Sequence, residues 1–268
     1  MIIAQITDTH IVPKGQSYKN MPETDTANRL KLVVERINEL NPLPDVVLFT
    51  GDAIDKGGRD AYRHLKDLLK PLLMPVYIIP GNHDDRENMR DAFSDKSYMP
   101  KDGNIHYVID EYPVRLIALD TNVPGQEYGL LSQDQLSWLE EKLKENTTKP
   151  TLIFMHHFPM KVGQKRIDEM ECQVEGDFEK LIESSPNVIR IVAGHYHRTS
   201  AALYGGKLFY IAPSVASGHH FNTAEDMFVT AIDLTNPYFT LHDWRGGLRM
   251  FTESVQVVTQ KHRIQLSL

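Results

Sequence analysis

Cysteine is close to absent: Cys172 is the single one among 268 residues, so no internal disulfide can form. A chain of this length buries roughly 75% of the surface its unfolded form exposes, so a hydrophobic core suffices without covalent staples. A lone cysteine agrees with a reducing compartment, and the first residues, Met1-Ile2-Ile3-Ala4-Gln5-Ile6, contain neither a basic stretch nor a long apolar segment. A cytoplasmic location is the expectation. No apolar run approaches the ~18 residues that a membrane span needs. Long basic runs are missing as well, and the net charge is -7, which argues against a broad grip on a nucleic acid backbone. Small anions remain as partners. Low-complexity tracts and short-period repeats are also lacking.

Histidine, in contrast, is plentiful at 12 residues. His10, His83, His156, His157, His195 and His197 all sit where an apolar segment gives way to a polar turn. Loop ends favour histidine in general, which accounts for any one of these better than for the group. The segments themselves read as buried strands: Ile2 to Thr7 before Asp8-Thr9-His10, Val46 to Phe49 before Gly51-Asp52, and Val76 to Ile79 before Pro80-Gly81-Asn82-His83-Asp84. Thr151 to Met155 precedes His156-His157, and Val188 to Ala193 precedes Gly194-His195-Tyr196-His197. Between them, Thr26 to Leu40, residues 60 to 70 and residues 86 to 93 have helical spacing. Ser132-Gln133-Asp134-Gln135 is a capping box that opens a helix reaching about Glu145. Alternation of strand and helix implies a parallel α/β sheet whose ligands gather at the carboxyl ends of the strands.

His106 to Ile109 and Val114 to Leu119 read as an antiparallel pair, the second ending in Asp120-Thr121-Asn122. Residues 11 to 23 are loop-like and either cover a site or merely connect. After residue 198 the pattern changes to short, mostly antiparallel strands at Ala201 to Tyr204, Leu208 to Ala212, Met227 to Leu234 and Tyr238 to Asp243. The amphiphilic tail from Ser254 to Leu268 is an edge strand or an intersubunit element.

Taken singly these motifs are weak to moderate; Asp-x-His arises about once by chance in such a chain, Gly-Asn-His-Asp/Glu in roughly one chain in a few hundred. The ordered set Asp8-x-His10, Gly51-Asp52, Gly81-Asn82-His83-Asp84, His156 and Gly194-His195-x-His197 resembles the calcineurin-like metallophosphoesterase superfamily. Within it, the Asn-His-Asp variant and Met155-His156-His157-x-Pro159 resemble bacterial class III cyclic-nucleotide phosphodiesterases and related glycerophosphodiesterases. The resemblance implies a single α/β domain over residues 1–268, a four-layer αββα sandwich with two mixed β-sheets. Residues 199–268 would complete the second sheet and form a cap or an oligomerisation element, which leaves a homo-oligomer open.

By the same resemblance, Asp8, His10 and His197 hold one divalent ion, Asn82, His156 and His195 hold another, and Asp52 bridges them. Two cations about 3.5–4 Å apart repel, and a carboxylate between them lowers the cost. Mixed nitrogen and oxygen ligation suits Fe, Mn, Zn or Co, and acidified metal-bound water would attack the phosphorus. His83, beside Asn82 but outside the ligand set, is the candidate to protonate the leaving group. Asp52 and His83 are therefore the catalytic candidates. Adjacent residues of an extended segment face opposite ways, so His156 rather than His157 is taken as the ligand, and His157 as supporting or packed. Extended backbone would point His195 and His197 to the same face, so their division between two ions rests on the resemblance alone. Asp84 either orients His83 or makes no more than a turn or helix-cap contact, the cap being the preferred reading. Asn82, His83, Asn122 and His219 are candidate substrate contacts; Asn122 could equally close a loop, and His219 and His220 could be exposed.

The expected activity is a two-metal-ion phosphodiesterase acting on small soluble phosphodiesters, 3′,5′-cyclic nucleotides or glycerophosphodiesters. A phosphomonoesterase shares the same ligands and is the alternative, followed by an inactive scaffold on the same fold.

Overall fold

In the computed structural model, which describes residues 1–21, 23–56, 58–219, 232–234, 236–245 and 247–256, apolar runs become strands and amphipathic runs become helices. The first half places β1 (Ile2–Ile6), α1 (Thr26–Asn38), β2 (Val46–Thr50), α2 (Arg59–Leu69), β3 (Val76–Ile79), α3 (Arg86–Ala92), β4 (Tyr107–Ile109) and β5 (Arg115–Ala118). There follow β6 (Gly129–Leu131), α4 (Gln133–Glu145), β7 (Thr151–Phe154), α5 (Lys165–Asp168), β8 (Cys172–Val174), α6 (Phe178–Glu183) and β9 (Val188–Ala193). The last part holds β10 (Ser200–Tyr204), β11 (Lys207–Ile211), β12 (Gly218–His219), β13 (Ile232–Asp233), β14 (Tyr238–Trp244) and β15 (Leu248–Ser254).

α1, α3, α4 and α6 start where polar side chains satisfy free backbone amides. Asp25 caps α1 through the Asn28 amide at 3.0 Å. Ser132 and Gln135 form the capping box of α4, with both reciprocal bonds present. Five strands pair in the order β15-β14-β1-β2-β3, and six in the order β10-β11-β9-β7-β5-β4. β1, β2 and β3 run parallel, as do β5, β7, β9 and β11, while β4 is antiparallel to β5.

Alternation along the strands assigns the layers. Leu116, Ala118, Leu152, Phe154, Val192 and Tyr210 join one core with the first sheet and the apolar faces of α1 and α2. Their neighbours Ile117, Ile153, Ile191 and Phe209 join a second core with Leu136, Leu139 and Leu143 of α4 and Phe178 and Ile182 of α6. The chain is thus a four-layer αββα sandwich. The strands after residue 199 do not all join the second sheet. β10 and β11 do, whereas β14 lies antiparallel to β1 and carries β15 onto the edge of the first sheet. A period of two specifies which face a strand buries but not which neighbour it pairs with, so β14 was open to either sheet. Most of the segment 227–234, and the tail beyond residue 256, lie outside the described residues, as does His220. No helix is long and apolar enough to cross a membrane among the described residues.

Candidate metal centre

Five parallel strands, β1, β2 and β3 of one sheet and β7 and β9 of the other, deliver their carboxyl ends to one place. Just past those ends the backbone takes an unusual course. Asp8, His10, Asp52, His195 and His197 have φ of 52°, 45°, 49°, 72° and 57°. The left-handed region costs a side-chain-bearing residue roughly 1–2 kcal/mol. Hydrogen bonds between neighbouring loops hold it: Asp8 N to Gly51 O at 3.0 Å, His10 N to Asp52 O at 3.0 Å, and Ala216 N to Asp8 O at 3.1 Å. Because His195 and His197 are not extended, they do not share a face. His197 Nε2 lies 3.3 Å from Asp8 Oδ1 and 3.0 Å from His10 Nε2, whereas the His195 ring packs 5.1 Å from that of His156.

The polar side chains fall into two adjoining sets. Asp8, His10, Asp52 and His197 offer ligand atoms that all lie within 4.8 Å of one another. Next to them, His156 Nε2 is 3.3 Å from Asn82 Oδ1 and 3.4 Å from Asp52 Oδ2. The same Asp52 Oδ2 lies 3.7 Å from His10 Nε2, so this carboxylate touches both sets. Second nitrogens orient the rings: His156 Nδ1 bonds Thr50 O at 2.7 Å and His197 Nδ1 bonds Ser217 O at 2.9 Å. With Nδ1–H committed to a carbonyl, each Nε2 lone pair is turned into the site, as metal-ligating histidines require.

The electrostatics are those of a cation site. Burial resists ionisation of Asp52, but the imidazoles of His156, His83 and His10 outweigh it and hold the carboxyl well below the usual range. Burial and the neighbouring His156 push His195 down to about 3, and burial and His83 lower His10. These are neutral ligand-form imidazoles. Burial opposes a charge on His156 too, yet Asp52 wins and raises it to about 9, which marks the space between them as favourable to positive charge. His195 Nε2 is buried without a hydrogen-bond partner among the described residues, and so are His10 Nδ1 and His157 Nε2. Imidazole, carboxylate and amide donors around unsatisfied nitrogens fit divalent transition ions.

Glycine makes the approach possible. A Cβ on Gly81 would lie 2.2 Å from Asp52 Oδ1 and 2.7 Å from His156 Nε2; one on Gly194 would lie 2.0 Å from Thr7 Oγ1, the hydroxyl that donates to Asp8 Oδ2 at 2.7 Å.

Other candidates sort differently. His83 is half-buried at the rim, its amide donating to Asp52 Oδ1 at 2.9 Å and its Nδ1 lying 2.8 Å from the carbonyl and 3.3 Å from Oδ1 of Asp55. Burial opposes its protonation, but Asp52 and Asp55 push it up to about 10. Asp55 escaped the sequence reading, although an acidic residue three positions after Asp52 on the same turn was a visible signal. His157, expected to face away from His156, packs perpendicular to it at 4.7 Å and bonds Thr121 Oγ1 through Nδ1 at 2.8 Å. His219 stacks on His197 at 4.3 Å and 8°, and burial with His197 beside it brings its pKa down to about 2.

One expectation needs correction. Asp84 makes a turn contact, its amide donating to Gly81 O at 3.2 Å, but it is not a helix cap: Asp85 caps α3 through the Asn88 amide at 2.8 Å. The Asp84 carboxylate is buried, accepting from the amides of Ala53 at 3.0 Å and Gly81 at 2.9 Å and from the Tyr62 hydroxyl at 2.9 Å, which ties the Asp52 loop to the Asn82 loop. Asn122 makes the loop-closing contact that was its alternative reading, its amide nitrogen donating to Gly81 O at 2.5 Å and Asp84 O at 3.3 Å.

Residues 1–199 match the model of the calcineurin-like phosphoesterase family, and the chain belongs to that family. It is 34% identical over 245 residues to a protein of Arcobacter nitrofigilis named as a probable glycerophosphodiester phosphodiesterase, covering 91% of this chain and 89% of the relative. A 3′,5′-cyclic adenosine monophosphate phosphodiesterase of Escherichia coli K12 is 28% identical, with 79% of this chain and 75% of that protein covered. In fold, the chain is similar to a dimetal phosphatase from Danio rerio, with a TM-score of 0.60, 17% identity and coverage of 95% and 99%.

Proposed function

We propose that this protein is a two-metal phosphodiesterase of small soluble diesters, 3′,5′-cyclic nucleotides or glycerophosphodiesters. The observation that carries the reading is Asp52, one carboxylate within reach of both sets of imidazoles. The relatives named as glycerophosphodiester and cyclic-nucleotide phosphodiesterases support the substrate class. In this reading Asp8, His10, Asp52 and His197 hold one divalent ion, and Asp52, Asn82, His156 and His195 the other. Bound there, the ions neutralise phosphoryl charge and acidify water.

The remaining steps belong to the chain's own groups. His83 has Nδ1 committed to Asp55, so Nε2 is the atom from which a proton reaches the departing alkoxide. The Asp52 and Asp55 carboxylates keep that proton in place near neutral pH. Asp84 and Asn122 hold the 81–84 turn, which fixes His83 relative to Asp52. The buried thiol of Cys172 agrees with a cytoplasmic setting.

The test is a paired assay with added Mn²⁺ on bis(p-nitrophenyl) phosphate and p-nitrophenyl phosphate, followed by cyclic nucleotides and glycerophosphodiesters. Diester preference and about two equivalents of bound metal are expected. A clear monoester preference would overturn the substrate class, and absence of both metal binding and hydrolysis would revive the inactive scaffold.

A further inference from the structure

Among the described residues, buried tyrosines satisfy their hydroxyls, with one exception. Tyr62 donates to Asp84 at 2.9 Å, Tyr77 to Glu111 at 2.9 Å, Tyr107 to the Ile78 carbonyl at 2.8 Å and Tyr196 to Gln164 at 2.6 Å, while Tyr210 pairs with Thr240 at 2.9 Å. Tyr18 is 1% exposed, and its hydroxyl has no partner among the described residues. Burying an unpaired hydroxyl works against folding, so its retention beside the polar groups of the centre points to a partner that arrives from outside.

The surroundings say where that partner sits. The Tyr18 ring lies on the His10 ring, centroids 5.2 Å apart at 33°, and His10 in turn meets His83 at 4.6 Å and His197 at 5.0 Å. An ordinary phenol, with a pKa of about 10, keeps its proton at neutral pH, so the hydroxyl can act as a donor. The backbone supports this inward placement. Tyr18–Asn20 forms a single 3₁₀ turn closed by Met21 N to Tyr18 O at 2.8 Å, and Lys19 is held at φ 47°. A lysine in the left-handed region is strained. The strained turn directs the phenol into the centre and leaves the Lys19 ammonium 5.0 Å from the ring centroid.

We propose that Tyr18 is a substrate-contact residue of this centre, whose hydroxyl donates a hydrogen bond to a non-bridging phosphoryl oxygen of the bound diester. The proposal rests on the phosphodiesterase reading above. A phenol supplies direction without adding charge, which suits a diester carrying one negative charge beside carboxylates. It also gives the loop of residues 11 to 23 a role as a wall of the site, where its sequence alone left covering and connecting equally open.

Tyr18→Phe tests this, because it removes one oxygen and keeps the ring on His10. In the Mn²⁺-loaded protein, kcat/KM for bis(p-nitrophenyl) phosphate should fall roughly 10- to 100-fold, the range for a hydrogen bond to a charged group. The inhibition constant of orthophosphate should rise in parallel. Metal stoichiometry should stay at the wild-type value, and the Tm of metal-free protein should be unchanged or higher, since an unpaired buried hydroxyl is gone. Kinetics within twofold of wild type would overturn the proposal. So would a drop in metal content or in the metal-free Tm, either of which assigns Tyr18 to the metal or to packing. A wild-type protein inactive on every diester would sink the underlying phosphodiesterase reading, whereas an active wild type with an unaffected Tyr18→Phe would sink this proposal alone.

Discussion

Gly81→Ala is the sharpest single perturbation of the centre, because one methyl group meets two proposed ligands at once. Its Cβ would lie 2.2 Å from Asp52 Oδ1, 2.4 Å from the Asp52 backbone nitrogen and 2.7 Å from His156 Nε2. The side chains could turn away, but the Asp52 nitrogen is part of a loop bonded to the His10 strand end, so the backbone itself must shift. Gly81 does not occupy the left-handed region, so alanine introduces no strain of that kind and the effect is steric. Overpacking of this sort costs about 1–3 kcal/mol. Expressed against metal binding, at 1.4 kcal/mol per tenfold, that is roughly a 5- to 150-fold loss of affinity. Titration calorimetry with Mn²⁺ on chelator-treated protein measures it, and Gly58→Ala is the control, since its Cβ would meet nothing nearer than 3.8 Å. Affinity within twofold of wild type in Gly81→Ala would refute the reasoning, because Asp52 and His156 cannot both be ligands and tolerate that methyl.

How much of this was legible depends on the range of the interaction involved. The strand ends were readable because apolar runs stop at Asp8, Asp52, Asn82, His156 and His195, and both the run and its ending are local. Ser132-Gln133-Asp134-Gln135 was readable for the same reason, as a capping box closes within four residues. The jobs of Asp84 and Asn122 were hidden because their partners are remote: Asp84 accepts from the Ala53 amide 31 positions away, and Asn122 donates to Gly81, 41 positions away. The separation of His195 from His197 was hidden for a different reason. It follows from positive φ at two non-glycine residues, which side-chain identity does not announce. Strand β15 was missed because its exposure pattern is irregular and Phe251 is 50% exposed, so no clean alternation marks it. Family resemblance implied a division between His195 and His197, and the backbone reversal at these residues is what places His197 beside Asp8 and His195 beside His156.

His83→Ala should lower turnover roughly 10²- to 10⁴-fold with metal content intact, measured by steady-state kinetics and metal analysis; lost metal would make His83 a ligand. Asp55→Asn should cost a smaller factor, about 10-fold, because the Asp55 carbonyl still holds His83 Nδ1, and its pH–rate profile should lose activity at lower pH on the alkaline side than wild type. The last prediction concerns stability away from the centre. His242 is fully buried, with Nε2 donating to Gln5 Oε1 at 2.9 Å and Nδ1 accepting from Arg190 at 3.0 Å. Burial and the Arg190 charge bring its pKa from 6.5 down to about 3. A group depressed on folding contributes stability that is full above its unfolded pKa and is lost as pH falls toward the folded one, because the unfolded chain takes up the proton first. The window therefore runs from pH 6.5 down to about 3, and at pH 5 the loss from this group is about 2 kcal/mol. Urea denaturation of the metal-loaded protein at pH 7.5 and 5.0 should show wild type losing about that much more than His242→Gln. Equal losses in the two proteins would mean that His242 takes up a proton in the native state, which the Arg190 guanidinium 3.0 Å from Nδ1 opposes.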